Sequence, residues 1–489
     1  MFKKFIQLKI NEKETQNKKE EIGMKKKMVS MLMAVTMIAT MVGCGNDEAV
    51  TEPKSEESEQ EVQTEENESA FTGTIRMLNW KPESADAMKK VEETYKDETG
   101  IDIVIDTAPA NEYESTLMAR MTGSDMPSIF IVDSASMLSS WKDYATDLSG
   151  TELYSYVTDD AYTLNDGDGG VYGISYALEA WGLIVNKGIT DAYFASPNKT
   201  TEYTSLDELD HFAALKAVVE DMTALKDELG IQGVFGSTSM ASGEDWRWTA
   251  HLPNQPLYYE WGGNETINLS GEIPEFTFQY AQNFKNIFDL YLNNSVTDAK
   301  LVGSKSVNDS MAEFALGQCA MIQNGDWAWD AINSADGKVV KDEDVCFIPI
   351  TTGVEGEEKM GLDVGCSQYL CINSQVSQEE QKAAADFLAW LFGSETGKKL
   401  VAEDLKFVTP FNTMADVTYS NPLFASENEI AASGKTSYCW AIRLIPDQTW
   451  KDEFGANLLM YAQGQMEWDE VVAKAVESWE TEREIVNAQ

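Results

Sequence analysis

Three short apolar segments separated by two amphipathic ones, all within residues 74–132, restrict the fold more than any other feature of this sequence. The apolar segments predict β-strands, and the spacing of Met88, Val91 and Tyr95 predicts a helix between the first two of them. In chain order, the predicted elements are residues 74–78 (strand), 85–99 (helix), 101–105 (strand), 113–121 (helix) and 128–132 (strand). Such alternation is typical of a right-handed parallel sheet covered by helices, and therefore of an α/β fold.

Two polar or aromatic residues follow the first and third of these strands. Trp80 comes after the first strand, and Asp133 comes directly after the third. In open α/β sheets, ligands bind beyond the carboxyl ends of the strands, where the strand order reverses. We therefore expect Trp80 and Asp133 to lie at a ligand-binding rim.

Residues 313–329 repeat the same arrangement later in the chain. Gly317 predicts the end of a helix, a short apolar strand follows, and the turn tripeptide 324–326 ends that strand. Asp326 and Trp327 lie at that strand end. An aromatic ring in this position is placed to contact a flat and partly apolar ligand such as a sugar ring. The alternative is that Trp327 and Trp329 are core residues behind a turn.

Several segments resemble extracellular solute-binding proteins of carbohydrate ABC transporters, the maltose-binding protein family among them. Residues 313–327 are similar to the family's helix–strand–Asn-Gly-x-Trp segment, and residues 171–187 are similar to its segment that crosses between two lobes. The resemblance covers about residues 71–485. It implies a two-lobed periplasmic-binding-protein-like fold (type II), in which each lobe is a mostly parallel sheet flanked by helices and crossing hinge strands join the lobes.

The resemblance also implies binding residues. Glu179 matches a position that contacts sugar in maltose-binding proteins, and Trp181 lies two residues on, hence on the same face of a strand. A carboxylate accepts hydrogen bonds from two hydroxyl groups at once, although Glu179 is alternatively a hinge ion pair. Trp450 matches a tryptophan that stacks on sugar in the family.

Residues 244–248 combine aromatic and polar side chains, unlike an ordinary core helix. We expect Trp246 and Trp248 to face the ligand-binding cleft. The alternative is that alternating tryptophans pack against two faces of a helix.

The amino-terminal region has the layout of an export signal. Lys25, Lys26 and Lys27 precede an apolar run of about 15 residues, shorter than the roughly 20 that span a membrane, and Gly43-Cys44 ends the run. Small residues before a cysteine resemble the bacterial lipoprotein processing site, so we expect lipidation at Cys44. Residues 1–43 are then a signal peptide whose true start is Met24, and residues 44–70 are a disordered acidic tether.

The remaining chain divides into two expected lobes. The first comprises residues 71–178 together with about 330–365, and the second comprises about 179–329 together with 366–489. A chain of 489 residues is too long for one hydrophobic core, which favours such a division.

Composition excludes several functional classes. A net charge of −45 disfavours nucleic acid as a partner, because phosphate backbones are bound by basic patches. Two His and no Cys-x-x-Cys pair disfavour a zinc site, so no metal and no cofactor is expected. We expect a monomer.

These observations favour a binding protein over an enzyme. The expected function is capture of a sugar or oligosaccharide between the lobes, with delivery to the permease subunits of an ABC importer from the outer face of the membrane. One alternative is a secreted glycoside hydrolase, with Glu179 and Asp326 as its two carboxyl groups. Another is the same fold with a polyamine or peptide as ligand.

Overall fold

The computed structural model describes residues 71–108, 112–165, 169–264, 266–269, 272–366, 368–417 and 419–488. The expected signal peptide (1–43), lipidation site (Cys44) and acidic tether (44–70) lie outside the described residues. Within the described part of the chain, no helix is long and apolar enough to cross a membrane.

Eleven β-strands form two sheets in the described residues. The strands are β1 (Thr74–Asn79), β2 (Asp102–Thr107), β3 (Ile129–Val132), β4 (Thr163–Asn165), β5 (Val171–Ser175), β6 (Leu178–Asn186), β7 (Met321–Gly325), β8 (Val345–Ile348), β9 (Met360–Cys366), β10 (Tyr369–Ile372) and β11 (Thr436–Tyr438).

The α-helices flank these sheets. They are α1 (Ala85–Thr99), α2 (Tyr113–Met121), α3 (Ala135–Trp141), α4 (Glu152–Tyr156), α5 (Lys187–Phe194), α6 (Phe212–Ala224), α7 (Lys226–Leu229), α8 (Asn254–Glu260), α9 (Ala281–Asn293), α10 (Val307–Ala315), α11 (Trp329–Asn333), α12 (Gln378–Gly393), α13 (Glu395–Lys399), α14 (Pro422–Ala432), α15 (Gln448–Ala462) and α16 (Trp468–Asn487). Two short π-helical segments, Arg247–His251 and Leu400–Leu405, join the set.

The first sheet has the order β2-β1-β3-β10-β5-β4. Strand β1 pairs in parallel with both β2 and β3, which confirms the parallel arrangement predicted from residues 74–132. Helix α1 ends where predicted, because Gly100 adopts a left-handed conformation with φ 76°. Strand β10 returns from much later in the chain and pairs antiparallel with β3 and β5.

The second sheet is built around the hinge strand β6. Strands β7, β8 and β9 all pair antiparallel with β6, and β11 pairs in parallel with β9. The sheet is therefore mainly antiparallel, whereas the sequence predicted mostly parallel strands in each lobe. The reason is that β6 enters from the first sheet, so it runs opposite to the strands that form within the second.

Three hydrophobic clusters define two lobes: one packs on the first sheet, and two pack on the second. The core of the first lobe takes residues from 71–177 and from 366–419, and that of the second takes residues from 180–364 and 423–486. This division differs from the expected one, which gave 330–365 to the first lobe and 366–489 to the second. Strand pairing decides the matter, because β8 and β9 join β6 whereas β10 fills a gap between β3 and β5.

Candidate functional site

A cleft of about 790 Å³ lies between the two lobes. This volume lies in the upper part of the range for ligand pockets, which suits a ligand larger than one sugar ring. Side chains from both lobes line the cleft, including Trp80 and Asp133 from the first and Trp246 and Trp327 from the second. A smaller cavity of about 40 Å³ lies at the hinge, and Glu179 lines both spaces.

The first lobe contributes Trp80 and Asp133 from the carboxyl ends of β1 and β3. The indole of Trp80 stacks on the buried Tyr113 ring, with 4.2 Å between ring centroids and 6° between the planes. Tyr113 therefore holds the indole in place at the edge of the cleft. Asp133 accepts a hydrogen bond from the Ser134 hydroxyl at 2.7 Å.

The second lobe contributes four rings, which we call the aromatic wall: Trp246, His251, Trp327 and Trp440. His251 lies at its centre, with ring centroids 4.7 Å from Trp246 and 5.4 Å from Trp327. Rings at these separations and steep angles pack edge to face, which is a favourable arrangement for aromatic pairs. Trp246, His251 and Trp327 therefore form a continuous aromatic surface on one side of the cleft, and Trp440 is linked to it through the buried Trp181.

Trp327 takes its position from Gly325 at the end of β7. A Cβ atom placed on Gly325 would lie 2.1 Å from the Trp327 ring, so only glycine lets the indole fold back over this strand end. Gly325 itself is extended, with φ −110°, a conformation that any residue can adopt. Close approach, and not backbone freedom, is the reason for glycine here.

A buried ion pair joins the lobes at the base of the cleft. Lys81 of the first lobe pairs with Glu179 at the start of β6, and the two side chains are 6% and 13% exposed. Burial is the largest influence on Lys81 and would lower its pKa, but attraction to Glu179 and Glu83 outweighs it, so the pKa is raised. Lys81 therefore remains a cation, and Glu179 enters the cleft as half of an ion pair.

Asp326 does not reach the cleft, contrary to the expectation that it accepts hydrogen bonds from a ligand. Its carboxyl group is buried and accepts a hydrogen bond from the Ala180 amide at 2.9 Å, which ties β6 to the end of β7. Burial raises its pKa well above the usual value, and the neighbouring carboxyl groups of Glu427 and Glu179 raise it further. Asp326 lines the small hinge cavity instead.

Three of the expected cleft tryptophans are core residues of the second lobe. Trp181 is fully buried, because it lies two residues deeper along β6 than Glu179 although both share one strand face. Trp248 is buried because residues 246–248 turn as a helix, so side chains two apart point in nearly opposite directions.

Trp450 is also fully buried, and its indole Nε1 donates to the Ala475 carbonyl at 2.9 Å. It stacks on Phe454, one helical turn later in α15. The opposite face of that helix, including Lys451, Asp452 and Gly455, lines the cleft. The helix therefore belongs to the site although the tryptophan does not.

The cleft residues that the sequence did not point to include Lys81, His251, Trp440 and Arg443. Trp440 follows β11 by two residues, so the rule that identified Trp327 would also have found it. Lys81 adjoins Trp80 and shares its strand end. Neither His251 nor Arg443 carries a local signal, because His251 lies in a short π-helical segment and Arg443 in a short 3-10 helix.

The sequence matches the family model described as bacterial extracellular solute-binding protein over residues 90–432. The chain belongs to this family of solute-binding proteins. None of the curated proteins is similar enough in sequence to count as a match.

Solved structures similar to this solute-binding protein share its two-lobed architecture. A chitin oligosaccharide binding protein is 19% identical, with 86% of this chain and 100% of that chain covered and a TM-score of 0.61. The GacH receptor of Streptomyces glaucescens is 15% identical, with 85% and 99% covered and a TM-score of 0.62. A family 1 extracellular solute-binding protein from Bifidobacterium longum subsp. infantis is 18% identical, with 84% and 99% covered and a TM-score of 0.58. These likenesses show the type II periplasmic-binding-protein fold.

Proposed function

We propose that this solute-binding protein captures an oligosaccharide between its lobes and delivers it to the permease subunits of an ABC importer. The observation that carries the proposal is that Trp80 of the first lobe and the aromatic wall of the second line one cleft. Sugar rings present apolar C–H faces that pack on aromatic rings, while their hydroxyl groups need polar partners. Trp80, Trp246, Trp327 and Trp440 are the aromatic surfaces in this proposal, and Asp133 with the Lys81–Glu179 pair supplies polar partners.

Similar structures support a carbohydrate as the ligand. One of them is named as a chitin oligosaccharide binding protein, and another was solved in complex with acarbose. The ion pair across the cleft and the two strand-to-strand connections between the lobes, β5–β6 and β9–β10, fit a hinge that closes on its ligand. Lipidation of Cys44 and the acidic tether of residues 44–70 would keep the protein at the outer face of the membrane.

The arrangement of the acids favours binding over glycoside hydrolysis. A glycosidase needs two carboxyl groups that flank the scissile bond. Here Glu179 is held by Lys81, and Asp326 is buried with its carboxyl group on the Ala180 amide. Only Glu179 lines the cleft, so these two carboxyl groups do not flank a bond of a ligand bound there.

A thermal-shift screen over mono- and oligosaccharides tests the proposal, with chromatography of each incubated sugar as the second measurement. We expect at least one oligosaccharide to raise the melting temperature and to be recovered intact. Multiple turnover to shorter products would show a hydrolase instead. If a polyamine or a peptide raises the melting temperature and no carbohydrate does, the ligand is a polyamine or a peptide instead.

A further inference from the structure

Basic side chains gather at the aromatic wall, although the chain as a whole has a net charge of −45. Arg443 and Lys451 line the cleft, and Arg247 lies behind the wall with its guanidinium carbon 3.8 Å from the Trp246 ring centroid. These three cations lie around His251.

Arg443 is held so that its guanidinium group borders the cleft. Its Nη2 donates to the Cys366 carbonyl at 2.6 Å, and the guanidinium carbon lies 5.0 Å from the Trp440 ring centroid. Its Nη1 lies 3.7 Å from an oxygen of Asp133 in the opposite lobe, which is an ion pair longer than a hydrogen bond. These contacts orient the planar group beside the aromatic wall, and the guanidinium geometry matches the two oxygens of a carboxylate.

Lys451 makes no ion pair and no hydrogen bond to any residue that the structure describes. Burial raises the pKa of Glu114 and the charge of Lys451 opposes that rise, but the two side chains do not form an ion pair. Five acids line the same cleft: Glu83, Asp133, Glu179, Asp245 and Asp452. Glu83 and Glu179 pair with Lys81, Asp133 pairs with Arg443, and Asp452 accepts a hydrogen bond from Gln448 at 2.7 Å. Asp245 packs against Gly455, and burial raises its pKa to about 6.

His251 is close enough to these three cations for their charges to affect its pKa. Burial lowers its pKa well below the usual value, and the charges that lower it further are those of Arg247, Arg443 and Lys451. The imidazole is therefore neutral, and its buried Nδ1 has no hydrogen-bond partner among the described residues. A group that brings negative charge to this side of the cleft would balance the cations that line it.

We propose that the ligand is an acidic carbohydrate, an oligosaccharide containing a uronic acid, whose carboxylate lies between Arg443 and Lys451 with its ring against the aromatic wall. This inference rests on the proposed function and names the substrate class of the same cleft. Closure of the lobes would remove water from both cations, and hydroxyl groups of a neutral sugar compensate a buried charge less well than a carboxylate does.

Isothermal titration calorimetry of the full chain with matched sugars tests the inference. One pair is a galacturonate trisaccharide and its neutral methyl ester, and the other is xylotetraose with and without a glucuronic acid branch. We expect an acidic member to bind at least tenfold more tightly than its neutral counterpart. The preference should shrink as salt is added, because salt screens partly exposed charges.

Substitutions test whether Lys451 and Arg443 cause the preference for acidic sugars. In Lys451→Gln and Arg443→Gln, the acidic sugar should lose at least tenfold in affinity, so that the difference between the paired sugars disappears. Lys474→Gln removes the same charge from the neighbouring helix α16, where the side chain is exposed, and should leave the preference unchanged.

The outcomes separate the two proposals. Equal or tighter binding of the neutral sugars, or a preference that survives Lys451→Gln and Arg443→Gln, overturns the acidic ligand and leaves oligosaccharide binding intact. Failure of every neutral and acidic carbohydrate to bind overturns the proposed function itself, and the acidic ligand with it.

Discussion

The imidazole of His251 lies flat on the indole of Trp181, with 4.2 Å between ring centroids and 6° between the planes. Trp181 has no exposed surface of its own, yet it also contacts Trp440 at 4.6 Å, so it supports two members of the aromatic wall. A buried tryptophan thus fixes the position of the rings that line the cleft. Supporting tryptophans should therefore affect stability, and lining tryptophans should affect binding.

Trp327→Ala should weaken ligand binding, whereas Trp450→Ala should lower the stability of the fold. Loss of the Trp327 ring should weaken binding of the best oligosaccharide by about 1–3 kcal/mol, because a stacking surface is lost. Trp450→Ala should instead lower the free energy of unfolding by about 3–5 kcal/mol and leave the affinity of the folded protein unchanged. Calorimetry and urea denaturation measure the two quantities. Weaker binding in Trp450→Ala alone would place the ligand elsewhere.

The Lys81–Glu179 pair should matter more than a surface pair. Lys81→Met leaves the Glu179 carboxylate buried without its cation, which should reduce the free energy of unfolding by about 3–5 kcal/mol. The control is Lys216→Met, because Lys216 pairs with Glu220 one turn away on an exposed helix face and should change stability by no more than about 0.5 kcal/mol. Equal losses of unfolding free energy in the two variants, measured by urea denaturation, would show that the buried pair stabilises the fold no more than the surface pair does.

Glu427 should make the protein less stable as the pH rises. Burial is the main cause that raises its pKa from 4.5 to about 8, so the folded chain keeps a proton that the unfolded chain has already released. Because the folded state binds more protons between these two values, this group's contribution to the free energy of unfolding falls as pH increases through that window.

Glu427→Gln should remove that contribution. The variant should therefore gain stability relative to the native chain between about pH 5 and about pH 8, as measured by urea denaturation at several pH values. Glu429→Gln, at an exposed position of the same helix α14, is the matched control and should show no such gain. A constant difference between Glu427→Gln and the native chain across the window would contradict the prediction.

Cys44→Ala should release the protein from the membrane. The expected lipid is attached to this side chain, and without it the acidic tether has nothing that holds it to an anionic surface. Cell fractionation and immunoblotting measure the change, with Cys346→Ala as a control that keeps the expected lipidation site. Continued recovery of Cys44→Ala in the membrane fraction would rule out lipid anchoring at this residue.

Much of the first lobe was predictable because its elements carry local signals. Helix α1 has an apolar face and a terminal Gly100, and helix α2 has bounds that match the prediction from residues 113–121. The helix–strand passage through Gly317 was also recognised, and Gly317 adopts the positive φ expected of a helix stop. Each of these features depends on neighbours within a few residues.

Cleft residues were harder to separate from core residues. Trp80, Trp246 and Trp327 line the cleft, whereas Trp181, Trp248 and Trp450 are buried, although both groups lie near strand ends or on amphipathic segments. The expected lobe boundaries failed for a related reason, since β9 and β10 are adjacent in the chain but join different sheets.

The sequence by itself determined the α/β alternation, the positions of the helices and strands within residues 74–132, and the resemblance that led to the family. These follow from periodicity, capping residues and glycines, which act over one or two turns of chain. Only the tertiary structure decided which tryptophans line the cleft, which carboxylates are held by other groups, and which cations surround His251. Those properties depend on burial and on contacts between distant segments, and a linear pattern of residues does not specify them.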